Sequence, residues 1–263
     1  MNKNKSKKIP STLIPLSLKE AVEFDKTYFS IPIKESNEKL VDVEEVFNQK
    51  GIKAVFNNEL TATGSKRLFL LREGLINPLL SASEEINKFS LLFRFEYMYR
   101  RLEDQEAAFT RSVKTFIKKY PELDKESILE IAGVFVASTP NTSAHVSGAA
   151  IDVVLVDKNF NPVDMGVPYI HPGPESKTTF PNLSKEAKRN RKILCEVMEK
   201  NGFANYPYEY WHFSMGDKIA AKIQDKTFAI YGPVIYNPNS NTTKEVKNGD
   251  APFNVDYLFD HKL

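Results

Sequence analysis

The chain has 263 residues, 41% of them hydrophobic and 11% aromatic, enough apolar material for a sizeable core in one large domain or two small ones. Thirty-six basic against thirty-four acidic side chains leave a net charge of +2, and nothing in that balance calls for nucleic acid, an anionic membrane or a polyanionic substrate. A single cysteine, Cys195, excludes an internal disulfide framework and reads as a small buried apolar residue suited to a reducing compartment.

The basic opening MNKNKSKK has the charge of an export signal, but Pro10 and Pro15 break the apolar run that follows and no small-residue cleavage site appears. A cytoplasmic location is therefore expected. No stretch approaches the roughly twenty apolar residues of a membrane span.

Ser17-Leu-Lys-Glu20 has capping-box spacing and predicts a short helix to about Lys26, followed by extended or irregular chain from Tyr28 to Val46. Residues 1–60 read as an N-terminal arm packed on the core. Between Gly64 and Leu80, Ser65 as a cap and Leu68, Leu71, Leu75 and Leu79 at helical spacing predict a helix. Leu91 to Met98 predicts a strand ending at Tyr99-Arg100. Glu103 to Tyr120 predicts an amphipathic helix with Ala107, Val113, Phe116 and Ile117 inward, stopped by Pro121.

Ile128 to Val136 fits strand or helix equally. Ser138 to Ser143 is a turn-rich loop, and Ala149 to Val156 is an apolar, β-branched run of the kind found in buried central strands. Asn159 to Asn182 holds five of the fifteen prolines and predicts a long loop, which in a compact domain is more often functional than idle. Ser184 is expected to cap a helix through Asn201 that ends at Gly202. Tyr206 to Ser214 reads as an aromatic strand, Lys218 to Lys226 as a short helix and Phe228 to Tyr236 as extended chain. Asn237 to Gly249 is polar enough to be mobile. The whole predicts one α+β domain, an antiparallel sheet packed with helices, over residues 61–236, with a C-terminal tail at 237–263.

Two stretches carry chemistry: Ser143-Ala-His145-Val-Ser-Gly148-Ala-Ala-Ile-Asp152 and Glu209-Tyr-Trp-His212. A carboxylate inside a buried strand costs several kcal/mol unless it is paired or bound to metal, so Asp152 needs a partner. His145, across the flexible Ser147-Gly148, and His212 can complete a three-ligand cage with an open fourth position. Glu209, three residues before His212, is the candidate general base. In an extended strand these two would face opposite sides, so a twist or bulge is required. Each stretch alone has a plain structural reading, a hydrogen-bonded histidine or a turn. Their joint occurrence in a chain of only four histidines favours one shared metal site.

At these residues the chain resembles the D-alanyl-D-alanine dipeptidases, zinc enzymes within the wider D,D-carboxypeptidase and hedgehog-like fold group. The family pattern Ser-x-His-x-x-Gly-x-Ala-x-Asp, then Glu-x-Trp-His, is met by Ser143, His145, Gly148, Ala150, Asp152, Glu209, Trp211 and His212. Val163-Asp-Met-Gly166 and the segment from Arg189 to Phe203 are also similar to the dipeptidase branch. The resemblance implies His145, Asp152 and His212 as ligands of one Zn²⁺, Glu209 as base, and hydrolysis of a small D-amino-acid peptide. Met98-Tyr-Arg100, similar to the family's Gly-Tyr-Arg-Pro, nominates Arg100 to polarise the scissile carbonyl and stabilise its oxyanion. Ser143 matches a substrate-binding residue. Two departures stand out. Arg101 replaces the proline after the arginine, and Ile170 replaces an acidic residue suited to holding a dipeptide's free amino group, with His171 beside it. That loss of charge leaves room for a D,D-carboxypeptidase acting on longer peptidoglycan stems. A non-catalytic zinc-stabilised binding module is a further alternative, and the ligand set also suits iron or manganese.

Overall fold

A computed structural model describes residues 16–260. Helix α1 (Leu16–Tyr28) covers the first predicted helix. The basic opening, and the side chain of Ser17 with its expected cap, lie outside the description. The chain does not then stay irregular to Val46. Strand β1 (Leu40–Asp42) leads directly into α2 (Val43–Lys50), where the Asp42 side chain accepts from the Glu45 N–H and Gly51 closes the helix at φ +66°.

The helix expected over Gly64 to Leu80 is also corrected. Strand β2 (Val55–Phe56) is followed by β3 (Leu70–Arg72), which pairs antiparallel with β1, and only then by a single 3₁₀ turn and α3 (Ile76–Asn87). Of the four spaced leucines, Leu68 precedes β3, Leu71 lies in it, Leu75 is in the 3₁₀ turn and Leu79 in α3, so the helical spacing crosses three different elements. Pro78 decides the matter, because it would break a helix begun at Ser65 yet is tolerated in the first turn of α3, where its missing N–H has no intrahelical partner.

The remaining elements follow the sequence more closely. Strand β4 (Leu91–Tyr97) and α4 (Leu102–Lys119) lie where expected, and the ambiguous stretch is a helix, α5 (Lys125–Phe135), capped by Asp124. Strand β5 (Ala150–Asp157) is the buried central strand. In α6 (Lys185–Lys200) the Ser184 hydroxyl accepts from the Ala187 N–H, a cap that contributes about 1 kcal/mol. Strands β6 (Ala204–Asn205) and β7 (His212–Ser214) replace the single strand expected over Tyr206 to Ser214, and α7 (Lys218–Ile223) follows. The supposedly mobile Asn237 to Gly249 instead completes a hairpin of β8 (Val234–Asn237) and β9 (Thr242–Glu245).

Five strands form the central sheet in the order β2-β4-β5-β7-β6, antiparallel except where β2 runs parallel to β4. Side chains alternate across it. Ile151, Val153 and Leu155 of β5, with Phe93, Phe95 and Phe213, share one core with Leu79 and Ile86 of α3 and Leu194, Val197 and Met198 of α6. Each such buried side chain contributes about 1.5–3 kcal/mol. A second apolar cluster joins α1, α4 and α5 through Val22, Phe109, Val113, Phe116, Ile128 and Ile131. Asp152 falls between Ile151 and Val153, so it points away from the first core, and the site forms there.

Candidate metal centre

Register brings the two sequence stretches together. Asp152 of β5 is paired directly with His212 of β7, and opposite cross-strand neighbours share a face. On its other side Asp152 is opposite Tyr97 across an irregularity in β4. His145 arrives from a tight turn. Its carbonyl accepts from the N–H groups of Arg100 and Gly148, which lock the turn to the end of β4. Gly148 sits at φ +70°, and a Cβ there would run into Leu40, so the position requires glycine.

The three side chains are all buried, and their ligand-capable atoms lie within 4.8 Å of one another. Asp152 Oδ1 is 3.3 Å from His145 Nε2 and 3.0 Å from His212 Nδ1. A tetrahedral ion with bonds of about 2.0–2.1 Å needs donor separations of about 3.3 Å, so this donor set fits zinc. His145 Nδ1 donates to the Met98 carbonyl at 2.8 Å, which fixes the tautomer with Nε2 free to ligate. Burial pulls His145 below its ordinary pKa against the attraction of Asp152, favouring the neutral form a ligand requires. Burial alone would raise Asp152, but the two imidazoles hold it well below the carboxylate range. Its other oxygen, Oδ2, accepts from Tyr169 at 2.8 Å.

The required bend before His212 is a hairpin loop. The Glu209 N–H donates to the Tyr206 carbonyl, the His212 N–H to the Glu209 carbonyl and the Tyr206 N–H to the His212 carbonyl. Asn205 Nδ2 ties the carbonyls of Glu209 and His212 together at 3.2 and 3.0 Å. Strand alternation is thus suspended over Pro207 to Trp211, and Glu209 lines the same cavity as His212. Burial, reinforced by the charge of Asp152, pushes Glu209 up to about 8 against the pull of His212 and Arg100.

Arg100 and Ser143 line that cavity too, and one residue joins them. Gln105 Oε1 accepts from Arg100 Nη1 at 2.9 Å and from the Ser143 hydroxyl at 3.0 Å, while its Nε2 donates to the Ala137 carbonyl. The Arg100 guanidinium also lies over the Tyr97 ring, 4.4 Å from its centroid. The cavity measures about 360 Å³ and runs on along α4 past Arg111. Ile170 and His171 stand at its wall, and His171 Nε2 contacts Glu175 at 3.1 Å.

Three contributors escaped the sequence reading. Gln105 was visible only as a polar residue in an otherwise apolar stripe. Tyr169 gave no signal at all. Asp25 lies on α1, where it accepts from the Tyr206 hydroxyl at 2.8 Å, and the Tyr206 ring in turn stands edge-on to His212 with centroids 6.0 Å apart. Burial lifts Asp25 to about 7, with Tyr206, Tyr28 and His212 opposing. His212 Nε2, also buried, has no hydrogen-bond partner among the described residues. Cys195 is partly buried in α6 and takes no part in the site; burial pushes its thiol up to about 12.

The family model described as D-ala-D-ala dipeptidase matches residues 36–231. A D-alanyl-D-alanine dipeptidase of Synechocystis is 25% identical over 225 residues, covering 74% of this chain and 89% of that protein. Those of Escherichia coli and Enterococcus faecalis are 36% identical over 73 residues and 29% over 102, covering 28% and 38% of this chain and 38% and 48% of the relatives. A solved zinc-bound D,D-pentapeptidase from a VanB-type vancomycin-resistance cassette is 18% identical, covers 66% of this chain and 86% of that one, and overlaps at a TM-score of 0.39.

Proposed function

Since the chain belongs to the D-ala-D-ala dipeptidase family, a family of metallopeptidases, we propose that it hydrolyses the amide bond of a D-Ala-D-Ala unit, releasing D-alanine, with one zinc ion held by His145, Asp152 and His212. The observation that carries this reading is convergence. The three donors meet on the wall of one cavity that Glu209 and Arg100 also line. Bound there, zinc supplies a Lewis acid that polarises a carbonyl and acidifies water.

The protein groups have distinct tasks. Glu209, half-buried on the cavity wall beside His212, takes a proton from the attacking water and returns it to the departing amine. Arg100, pinned by Gln105 and the face of Tyr97, aims its remaining N–H groups at the carbonyl oxygen where negative charge develops. Ser143, fixed through the same Gln105 oxygen, is placed to hydrogen-bond the substrate backbone beside the scissile bond.

One observation favours a second reading, a D,D-carboxypeptidase acting on longer stem peptides. Among the described residues, the only carboxylates lining the cavity are Asp152 and Glu209, and both already have work. A dipeptide's ammonium group would find no counter-charge, whereas an acylated amine needs none.

Incubation with D-Ala-D-Ala and with an N-acylated peptide ending in D-Ala-D-Ala, each with and without chelator, separates the two readings. Chelator-sensitive release of D-alanine is expected, and the preferred substrate selects between them. Release from neither substrate refutes both. Glu209→Gln should abolish turnover while metal stays bound, and surviving activity would show that the base lies elsewhere.

A further inference from the structure

Asp152 offers two oxygens, and they do not share one environment. Oδ1 faces both imidazoles, at 3.3 and 3.0 Å, whereas Oδ2 is turned to the Tyr169 hydroxyl at 2.8 Å. We infer that Tyr169 is a positioning residue that occupies Oδ2, keeps Asp152 a single-oxygen metal ligand and so leaves coordination space for water and substrate. The inference rests on the metallopeptidase reading and deepens it.

The loop around Tyr169 is built to hold this hydroxyl still. Its ring stands edge-on against Trp211, one residue before His212, with centroids 5.6 Å apart. On the preceding side the Tyr210 hydroxyl donates to the Val167 carbonyl at 2.8 Å, and on the following side the Ser176 hydroxyl donates to the His171 carbonyl at 2.5 Å. Between these anchors Ile170 is forced to φ +61°, a conformation that β-branched residues rarely adopt. The strained turn sends Tyr169 inward to Asp152 and leaves the Ile170 side chain 65% exposed. Strain of this kind persists only where neighbouring contacts over-determine the chain.

A carboxylate freed of such a donor can swing to bind through both oxygens. Tyr169→Phe removes the hydroxyl and keeps the ring on Trp211. Zinc dissociation constants of the purified full-length proteins, measured by competition with a chromogenic chelator, are expected to rise about 10–100-fold in the variant, the usual cost of losing a partner that orients a ligand. The metal-free variant should still melt cooperatively, below the wild type by no more than the loss of one buried hydrogen bond. With cobalt(II) in place of zinc, the visible bands should weaken in the variant, because an added ligand moves the ion away from the tetrahedral field that makes them intense. An unchanged dissociation constant or an unchanged cobalt spectrum overturns the inference. So does a metal-free variant without a cooperative melt, since the hydroxyl would then be holding the fold. A wild-type protein that binds no metal would instead defeat the metallopeptidase reading before any variant is compared.

Discussion

Asp25→Asn should make the metal-free protein more stable at neutral pH and leave it nearly unchanged in acid. Asp25 is 5% exposed and burial lifts its carboxyl from 3.8 to about 7, with Tyr206, Tyr28 and His212 pulling the other way. Because the folded state binds the proton more tightly than the unfolded state, the stability Asp25 contributes is fully present below about pH 4 and is lost as pH rises through about 7. About three pK units at about 1.4 kcal/mol each set a ceiling of about 4 kcal/mol on that loss. Asparagine keeps an oxygen for the Tyr206 hydroxyl and carries no charge to bury. Urea unfolding of chelated wild type and variant at pH 4.5, 6 and 7.5 is the assay, and the difference between them isolates Asp25 from other titrating groups. It should grow with pH in favour of the variant. A difference that stays flat, or that grows in favour of the wild type, would mean that Asp25 is ionised in the fold and held by its tyrosines, and the reasoning would fail.

Arg100→Lys should lower kcat about 10²–10³-fold with zinc affinity intact, because an ammonium cannot keep the Gln105 bond and the Tyr97 stacking while presenting further donors; steady-state kinetics beside a metal titration checks this. Arg72 is completely buried, pairs with Glu35, and donates to the carbonyls of Ser147, Glu38 and Gly232, so Arg72→Leu should cost about 3–5 kcal/mol in denaturant unfolding. A loss below about 1 kcal/mol would contradict that. Ile170→Asn relieves the positive φ at an exposed position and should add about 1 kcal/mol. That is read as a melting temperature raised by roughly 2–4 °C.

The site was legible where its chemistry lies in short local patterns. His145, Gly148 and Asp152 sit on one turn and the strand it feeds, so their spacing survives folding, and an apolar run containing one carboxylate announces a buried charge. The hairpin that delivers Glu209 was only half legible. The need for a bend followed from strand alternation, and Pro207 marks its place, but nothing in the sequence says that the Asn205 side chain closes it on the Glu209 and His212 carbonyls. Tyr169, Gln105 and Asp25 act through partners 17, 38 and 181 residues away, and a single sequence carries no trace of such pairings. At β3 and α3 the leucine spacing misled because buried leucines of successive elements happened to fall at helical intervals, and Pro78 was the better guide.

Helix α1 ends before residue 36, where the match to the family begins, yet it gives Asp25 to the Tyr206 hydroxyl and Tyr28 to the wall of the cavity. Lys218, from the far end of the matched span, reaches back to the Phe29 carbonyl at 2.8 Å. The envelope behind His212 is therefore stitched from both sides of residue 36, where the match to the family model begins. A fragment trimmed to the shared region would retain every residue of the two motifs and still open that envelope to solvent. For this protein, the span matched by the family model is shorter than the span that encloses the back of His212.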